Sequence, residues 1–81
     1  MLIRMATAKS VTEFVILHTT ASEGGRIPIP EFRERCQQWA FEHGLNPPSG
    51  RLISRVLREQ WGVEPQGARY DWFYAGIIWK A

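Results

Sequence analysis

Cysteine is nearly absent from this 81-residue sequence, which contains only Cys36. A single cysteine cannot form an internal disulfide, and it gives no indication of an oxidising compartment. The first six residues lack the apolar run of a signal peptide, and no stretch approaches the length of a membrane span. These absences argue against a disulfide-stabilised or membrane-embedded protein, and we expect a cytoplasmic one.

Side chains for acid–base or metal chemistry are also scarce. The sequence has two histidines, His18 and His43, and a single aspartate, Asp71. Its serines and glutamates form no recognisable nucleophile motif. Cys36 and His43 would lie two helical turns apart, too far to chelate one ion unaided, and there is no Cys-x-x-Cys. We therefore expect no enzymatic activity, no bound metal and no cofactor.

What the sequence does contain is enough apolar surface for one small domain. Hydrophobic residues make up 44% of the chain, and there are four Trp, two Tyr and four Phe. This composition is too apolar for disorder, and the length suits a single core. The formal net charge of +2 is only mildly basic and does not by itself indicate nucleic acid. The distribution of charge is more informative, because residues 49–58 hold three arginines and no acid.

Residues 49–62 predict an amphipathic helix that begins at a Ser49 cap and ends at Gly62. Its apolar stripe consists of Leu52, Ile53, Val56 and Leu57. On the opposite side lie Arg51, Arg55 and Arg58, with Ser54 beside them. An ordinary solvated surface is one interpretation of this basic side. The other is a helix that offers arginines to phosphates and base edges.

Two further helices and a short strand are predicted before this helix. Ser10 and Glu13 form a capping-box pattern that opens a helix over residues 10–20, followed by a loop at residues 21–25. An edge strand fits residues 26–29, because Pro28 cannot donate to a central ladder. The second helix should run from Pro30 to His43, and residues 45–48 form a rigid turn.

The end of the chain predicts a β-hairpin whose last strand covers residues 72–79. At a period of two, Phe73, Ile77 and Trp79 share one face, and Trp72, Tyr74 and Ile78 share the other. We expect one of these faces to lie in the core. The second set, Trp72, Tyr74 and Ile78, is either covered by the first helix or forms a surface for a protein partner.

The predicted order is helix, short strand, helix, turn, helix and hairpin. This order indicates an α+β fold, the winged helix-turn-helix, over residues 10–81, with residues 1–9 as an N-terminal extension. In that fold the first strand pairs with the last strand of the hairpin, which would place residues 27–29 beside residues 75–79.

Four segments resemble those of a known family: residues 11–14 (VTEF), 29–40 (IPEFRERCQQWA), 52–57 (LISRVL) and 74–79 (YAGIIW). Together they are similar to the small C-terminal winged-helix domain of phage, plasmid and poxvirus primase–helicases. The resemblance implies a role in replication as a DNA-binding or partner-docking appendage; for a viral protein, the location would be the host cytoplasm. It implies no primase or ATPase activity here, because the chain has no phosphate-binding glycine loop.

The interpretation that follows is DNA binding through the third helix, with duplex DNA favoured over single-stranded DNA. The residues predicted to contact DNA are Ser49, Arg51, Ser54, Arg55 and Arg58, with Arg69 of the hairpin. The hairpin departs from the family pattern, since it offers only Arg69 against Glu64 and Asp71. Other domains or subunits of a replication protein are further expected partners. A protein-docking module and a stand-alone transcriptional regulator remain as alternatives.

Overall fold

The computed structural model describes residues 4–67 and 69–81. Its elements in chain order are β1 (Arg4–Met5), α1 (Ala8–His18), β2 (Thr19–Pro28), α2 (Ile29–Glu42), β3 (Leu45–Asn46), α3 (Gly50–Trp61), β4 (Pro65–Gln66) and β5 (Phe73–Trp79). The Cα radius of gyration, 12.4 Å, is close to the value of about 12 Å expected for a compact domain of this length. The described chain is thus a compact α+β domain with three helices and a small antiparallel sheet.

The first helix begins and ends about two residues earlier than predicted. Thr7 caps it, and the Thr7 backbone N–H donates to Ser10 Oγ at 3.4 Å, so Ser10 closes the capping box instead of opening the helix. The helix stops at His18 because Thr19 is extended and pairs with Trp79 in the sheet. Met1, Leu2 and Ile3 of the predicted N-terminal extension lie outside the described residues. The rest of that extension is tied into the domain, since β1 pairs in parallel with β3 and α1 starts at Ala8.

The strand β2 is longer than predicted and includes the expected loop at residues 21–25. Its edge position and its pairing with the last strand are confirmed, because the sheet order is β2–β5–β4. The predicted register is wrong. Residues 26–28 pair with residues 73–75, whereas residues 77–79 pair with residues 19–21. Residues 22–25 form a bulge that stands opposite Gly76 alone.

The second helix begins and ends one residue before its predicted bounds, and the third helix has the predicted ends. α2 has proline in its first turn, is capped by His43 and is followed by Gly44 with φ +72°. At the start of α3 the Ser49 hydroxyl oxygen accepts from the Leu52 backbone N–H at 3.1 Å, and Gly62 ends the helix with φ +65°. These ends are fixed by local signals that the sequence carries.

The two predicted faces of β5 are wrong, because strict alternation fails in the middle of the strand. Tyr74 and Ile77, which were assigned to opposite faces, are both buried in the core. Between them Gly76 has φ +89° at the bulge, and this conformation resets the side-chain period. Before the bulge, Phe73 is turned outward, where the Arg26 guanidinium lies 4.5 Å from its ring centroid.

The core lies between the helices and one face of the sheet, and Phe32 of α2 is at its centre. The Phe32 ring is 5.3 Å from Tyr74, 5.4 Å from Trp79 and 5.5 Å from Phe14, measured between centroids. The other buried apolar side chains are Val11, Val15, Ile27, Cys36, Ala40, Ile53, Val56, Leu57, Val63 and Ile77. This arrangement holds α3 against α1 and the sheet. No helix in residues 4–67 or 69–81 is both long and apolar enough to traverse a bilayer.

Candidate nucleic-acid interface

The third helix presents the arginine face that its sequence predicts. Ile53, Val56 and Leu57 are buried, whereas Arg51, Arg55 and Arg58 are exposed. In the part of the chain that the structure describes, no carboxylate oxygen lies within 4.0 Å of these guanidinium nitrogens. The cationic groups are therefore available to an anionic partner.

The first turn of α3 adds hydrogen-bond donors to this face. The backbone N–H groups at the start of an α-helix have no partner within the helix, and here the Ser49 side chain satisfies only that of Leu52. Ser49 is exposed and already accepts one bond, so its hydroxyl can still donate. With the positive end of the helix dipole, this end of α3 suits a phosphate oxygen.

Arg33 of α2 lies at the same end of α3, and sequence reasoning missed it. A Cβ atom added to Gly50 would be 3.0 Å from Arg33 Nε and 3.1 Å from Arg33 Cζ, so the guanidinium covers the first residue of α3. Gln37 supports this contact, since its Nε2 donates to the Pro48 carbonyl at 2.9 Å. In the sequence Arg33 stands between acidic residues on a mixed-charge helix, and only the packing of α2 against the turn reveals its position.

Ser54, predicted to contact DNA, is instead engaged inside the domain. Its hydroxyl is 2.6 Å from the Tyr74 hydroxyl in a partly buried hydrogen bond. Burial raises the pKa of Tyr74 above its usual 10.0, while the Ser54 bond and the charge of Arg33 act in the opposite direction. Ser54 therefore joins α3 to β5, beside the arginines but facing the sheet.

Arg69 belongs to the hairpin between β4 and β5. It is exposed and adopts φ +59°, and its carbonyl accepts from Trp72 Nε1 at 2.8 Å. Exposed Asp71 follows two residues later. The cations brought together at α3 are thus Arg33, Arg51, Arg55 and Arg58, and Arg69 is a separate hairpin cation.

The predicted partner surface of Trp72, Tyr74 and Ile78 does not exist as one face. Tyr74 is 0% exposed and belongs to the core, whereas Trp72 and Ile78 are 45% and 39% exposed. The reset of the strand at Gly76 accounts for Ile78, and Trp72 lies outside β5, which starts at Phe73. Only Trp72 and Ile78 of this set can touch a partner.

The groups considered for metal or redox chemistry are dispersed. His18 stacks on Phe14 with ring centroids 4.8 Å apart, and the His43 ring lies 4.4 Å from that of Trp39. Burial raises the pKa of the Cys36 thiol to about 12, which keeps it protonated and unreactive at neutral pH. Among the described residues, no three His, Cys, Asp or Glu side chains are close enough to hold a metal ion.

The feature that these observations single out is a row of exposed arginines on α3, extended by Arg33 at the helix start. Arginine is suited to bidentate contacts with phosphates and guanine edges. No protein-family model matches this chain, and neither does any curated protein with which it was compared.

Proposed function

We propose that this domain is a winged helix that binds duplex DNA through α3. The observation that carries the proposal is the exposed row of Arg51, Arg55 and Arg58, with no acidic residue between them in the sequence, on a helix that follows a tight turn and precedes a hairpin. The order of α1, β2, α2, α3, β4 and β5, with sheet order β2–β5–β4, supports the winged-helix assignment.

The dimensions of α3 suit the major groove. Arg51 and Arg58 are seven residues apart, which corresponds to about 10 Å along a helix axis. The major groove of B-DNA is about 12 Å wide and admits an α-helix. With α3 in the groove, its arginines face base edges and flanking phosphates, while Ser49 and Arg33 hold a phosphate at the helix start.

The biological setting we propose is replication. The four segments that resemble the C-terminal domain of primase–helicases lie in α1, α2, α3 and β5, and each contributes buried residues to the core. The resemblance thus supports a shared framework, and the arginine face supplies the DNA-binding chemistry. In this setting the domain is an appendage that brings a larger replication protein to DNA.

The direct test is fluorescence anisotropy with a labelled duplex. Changing Arg51, Arg55 and Arg58 together to Ala should weaken binding at least ten-fold at low salt, because three charge-assisted contacts are lost. For about four phosphate contacts, the logarithm of the wild-type binding constant should fall with the logarithm of the salt concentration with a slope of roughly −4. The slope of the triple variant should be shallower, at roughly −1.

A charge-matched control separates specific contact from net charge. The variant with Arg4, Lys9 and Lys80 changed to Ala loses the same three positive charges from outside α3. We expect it to retain most of its affinity. Equal losses in the two triple variants would indicate non-specific attraction, and undiminished binding by the α3 variant would rule out this face. Absence of duplex binding by the wild type would favour protein docking, for which exposed Trp72 and Ile78 are the available residues.

A further inference from the structure

The hairpin carries an aromatic groove that duplex binding through α3 does not use. Its volume is about 280 Å³. Its walls are formed by Tyr70, Trp72 and Phe73 of the hairpin and by Arg26, Pro28 and Pro30 of the facing segment. Tyr70 is 95% exposed, which is unusual for so large an aromatic ring. We call this feature the wing groove.

We propose that the wing groove stacks an unpaired base, so that the substrate of the domain is duplex DNA with a single-stranded extension. The inference rests on the proposed function, because α3 supplies the duplex contact beside which an emerging strand would run. Aromatic side chains stack on any base, since every base has a π-face. The groove would therefore recognise the loss of pairing, whatever the sequence.

The Trp72 ring is held in place by hydrogen bonds. Trp72 Nε1 donates to the Arg69 carbonyl at 2.8 Å, and the Trp72 carbonyl accepts from the Ile29 N–H at 3.1 Å. These two bonds tie both the ring and the backbone of Trp72. A fixed ring loses little conformational entropy when a base is placed on it. The free partner in this pair is Tyr70, whose exposed ring can close on the other side of the base.

Charge favours a nucleotide over an apolar peptide as the occupant. The Arg26 guanidinium lies 4.5 Å from the Phe73 ring centroid, so a cation borders the aromatic surface and can reach a phosphate. Asp71 lines the same groove and would repel a phosphate. The backbone of the strand should therefore pass on the Arg26 side, with its base over the rings.

The wing groove is linked to the start of α3 through Pro30 and Arg33. Pro30 lines it and lines an adjoining groove that contains Arg33. Arg33 in turn covers Gly50 at the start of α3. A strand leaving a duplex held on α3 would meet Arg33, then Pro30, and then the aromatic rings. Such a path would lead from the duplex site to the single-strand site along residues that line the two grooves.

The experiment compares three kinds of labelled DNA at one salt concentration. The first is a blunt duplex, and the second is the same duplex with a short thymine tail, prepared in each polarity. The third is the tailed duplex in which the first unpaired position is abasic. One stacked base should improve affinity by roughly five-fold to a hundred-fold for one tail polarity. The abasic position should abolish the gain, although it keeps every phosphate. When 2-aminopurine replaces the first unpaired thymine, its fluorescence should be quenched on binding.

The variants identify the groove. Tyr70→Ala and Trp72→Ala should each lose the gain conferred by the tail, whereas Tyr70→Phe should keep it and Leu17→Ala, an exposed apolar change on α1, should have no effect. Because Tyr70 is almost fully exposed, Tyr70→Ala should fold normally. A tail that adds nothing to wild-type affinity, or a gain that survives the abasic change or Tyr70→Ala, overturns the inference.

Failure of the proposed function would look different. A Tyr70-dependent gain from the tail, combined with duplex binding that is insensitive to Arg51, Arg55 and Arg58, would support the wing groove and reject the α3 site. Duplex binding that depends on those arginines, without any gain from the tail, would support the α3 site and reject the wing groove. Absence of binding to all three DNAs would reject both.

Discussion

At the scale of single residues, the contact between Ser54 and Tyr74 distinguishes a structural group on α3 from the groups that we propose contact DNA. The two hydroxyl oxygens are 2.6 Å apart and join the helix to the middle strand of the sheet. Tyr74 is fully buried, so its hydroxyl would lose its partner without regaining water if Ser54 were removed. Arg55, the next residue on the helix, points to solvent.

Ser54→Ala and Tyr74→Phe should each lower the free energy of unfolding by about 1 kcal/mol, because each breaks this partly buried bond. The double variant should cost less than the sum of the two single changes, since the second change removes a bond that is already broken. Urea unfolding of the four proteins measures the coupling. Duplex affinity should change less than two-fold for Ser54→Ala, against a larger loss for Arg55→Ala. If Ser54→Ala changed the free energy of DNA binding more than the free energy of unfolding, a direct contact between Ser54 and DNA would be favoured.

At the scale of the elements, the sequence predicts what depends on neighbouring residues and misses what depends on distant ones. The ends of α2 and α3 are encoded by Pro30, Ser49 and Gly62, all within a turn of the helix they limit. The length of β2 depends on β5, which lies some fifty residues away along the chain. Pairing of that kind leaves no local periodicity, and a loop and a bulged strand look alike.

The candidate site also combines features that depend on neighbouring residues with features that depend on distant ones. The arginine row of α3 is local and was predicted, whereas the position of Arg33 depends on packing between residues 17 positions apart. A strict period of two through Gly76 groups Tyr74 with Trp72 and Ile78 and separates it from Ile77, whereas Tyr74 and Ile77 are both buried. A single glycine with positive φ is enough to shift which residues of the strand face the core.

Gly76→Ala tests whether that glycine determines the face of β5. A Cβ atom at this position would meet nothing within 4 Å, so the penalty arises from the backbone at φ +89° and not from a clash. We expect a loss of about 1–2 kcal/mol in the free energy of unfolding, measured by urea denaturation. D-Alanine at position 76, introduced by chemical synthesis, is the matched control, because it adds the same methyl group and favours positive φ. If both alanines destabilise the fold equally, the backbone conformation is not the cause.

At the scale of the whole molecule, the positions of the charged and buried residues matter more than their numbers, both for the proposed function and for stability. Ten cationic and eight acidic residues leave a net charge of only +2, yet four of the cations lie at one end and on one face of α3. Stability is equally concentrated, because a domain of 81 residues has one small core. Two ionisable side chains, Cys36 and Tyr74, lie inside it. Global unfolding should therefore respond to their titration.

The raised pKa of Cys36 determines the direction in which the free energy of unfolding changes with pH. Burial raises its pKa from 9.0 to about 12 in the folded protein, so above pH 9 the unfolded chain releases a proton that the folded chain keeps. The free energy of unfolding should fall by up to about 1.4 kcal/mol for each pH unit between pH 9 and 12, with Tyr74 adding to the loss above pH 10. Urea denaturation from pH 7.5 to 10.5 under reducing conditions measures this slope. Cys36→Ala should flatten the slope between pH 9 and 10 and reduce it above pH 10 to the contribution of Tyr74, whereas an unchanged slope would show that the thiol is not its source.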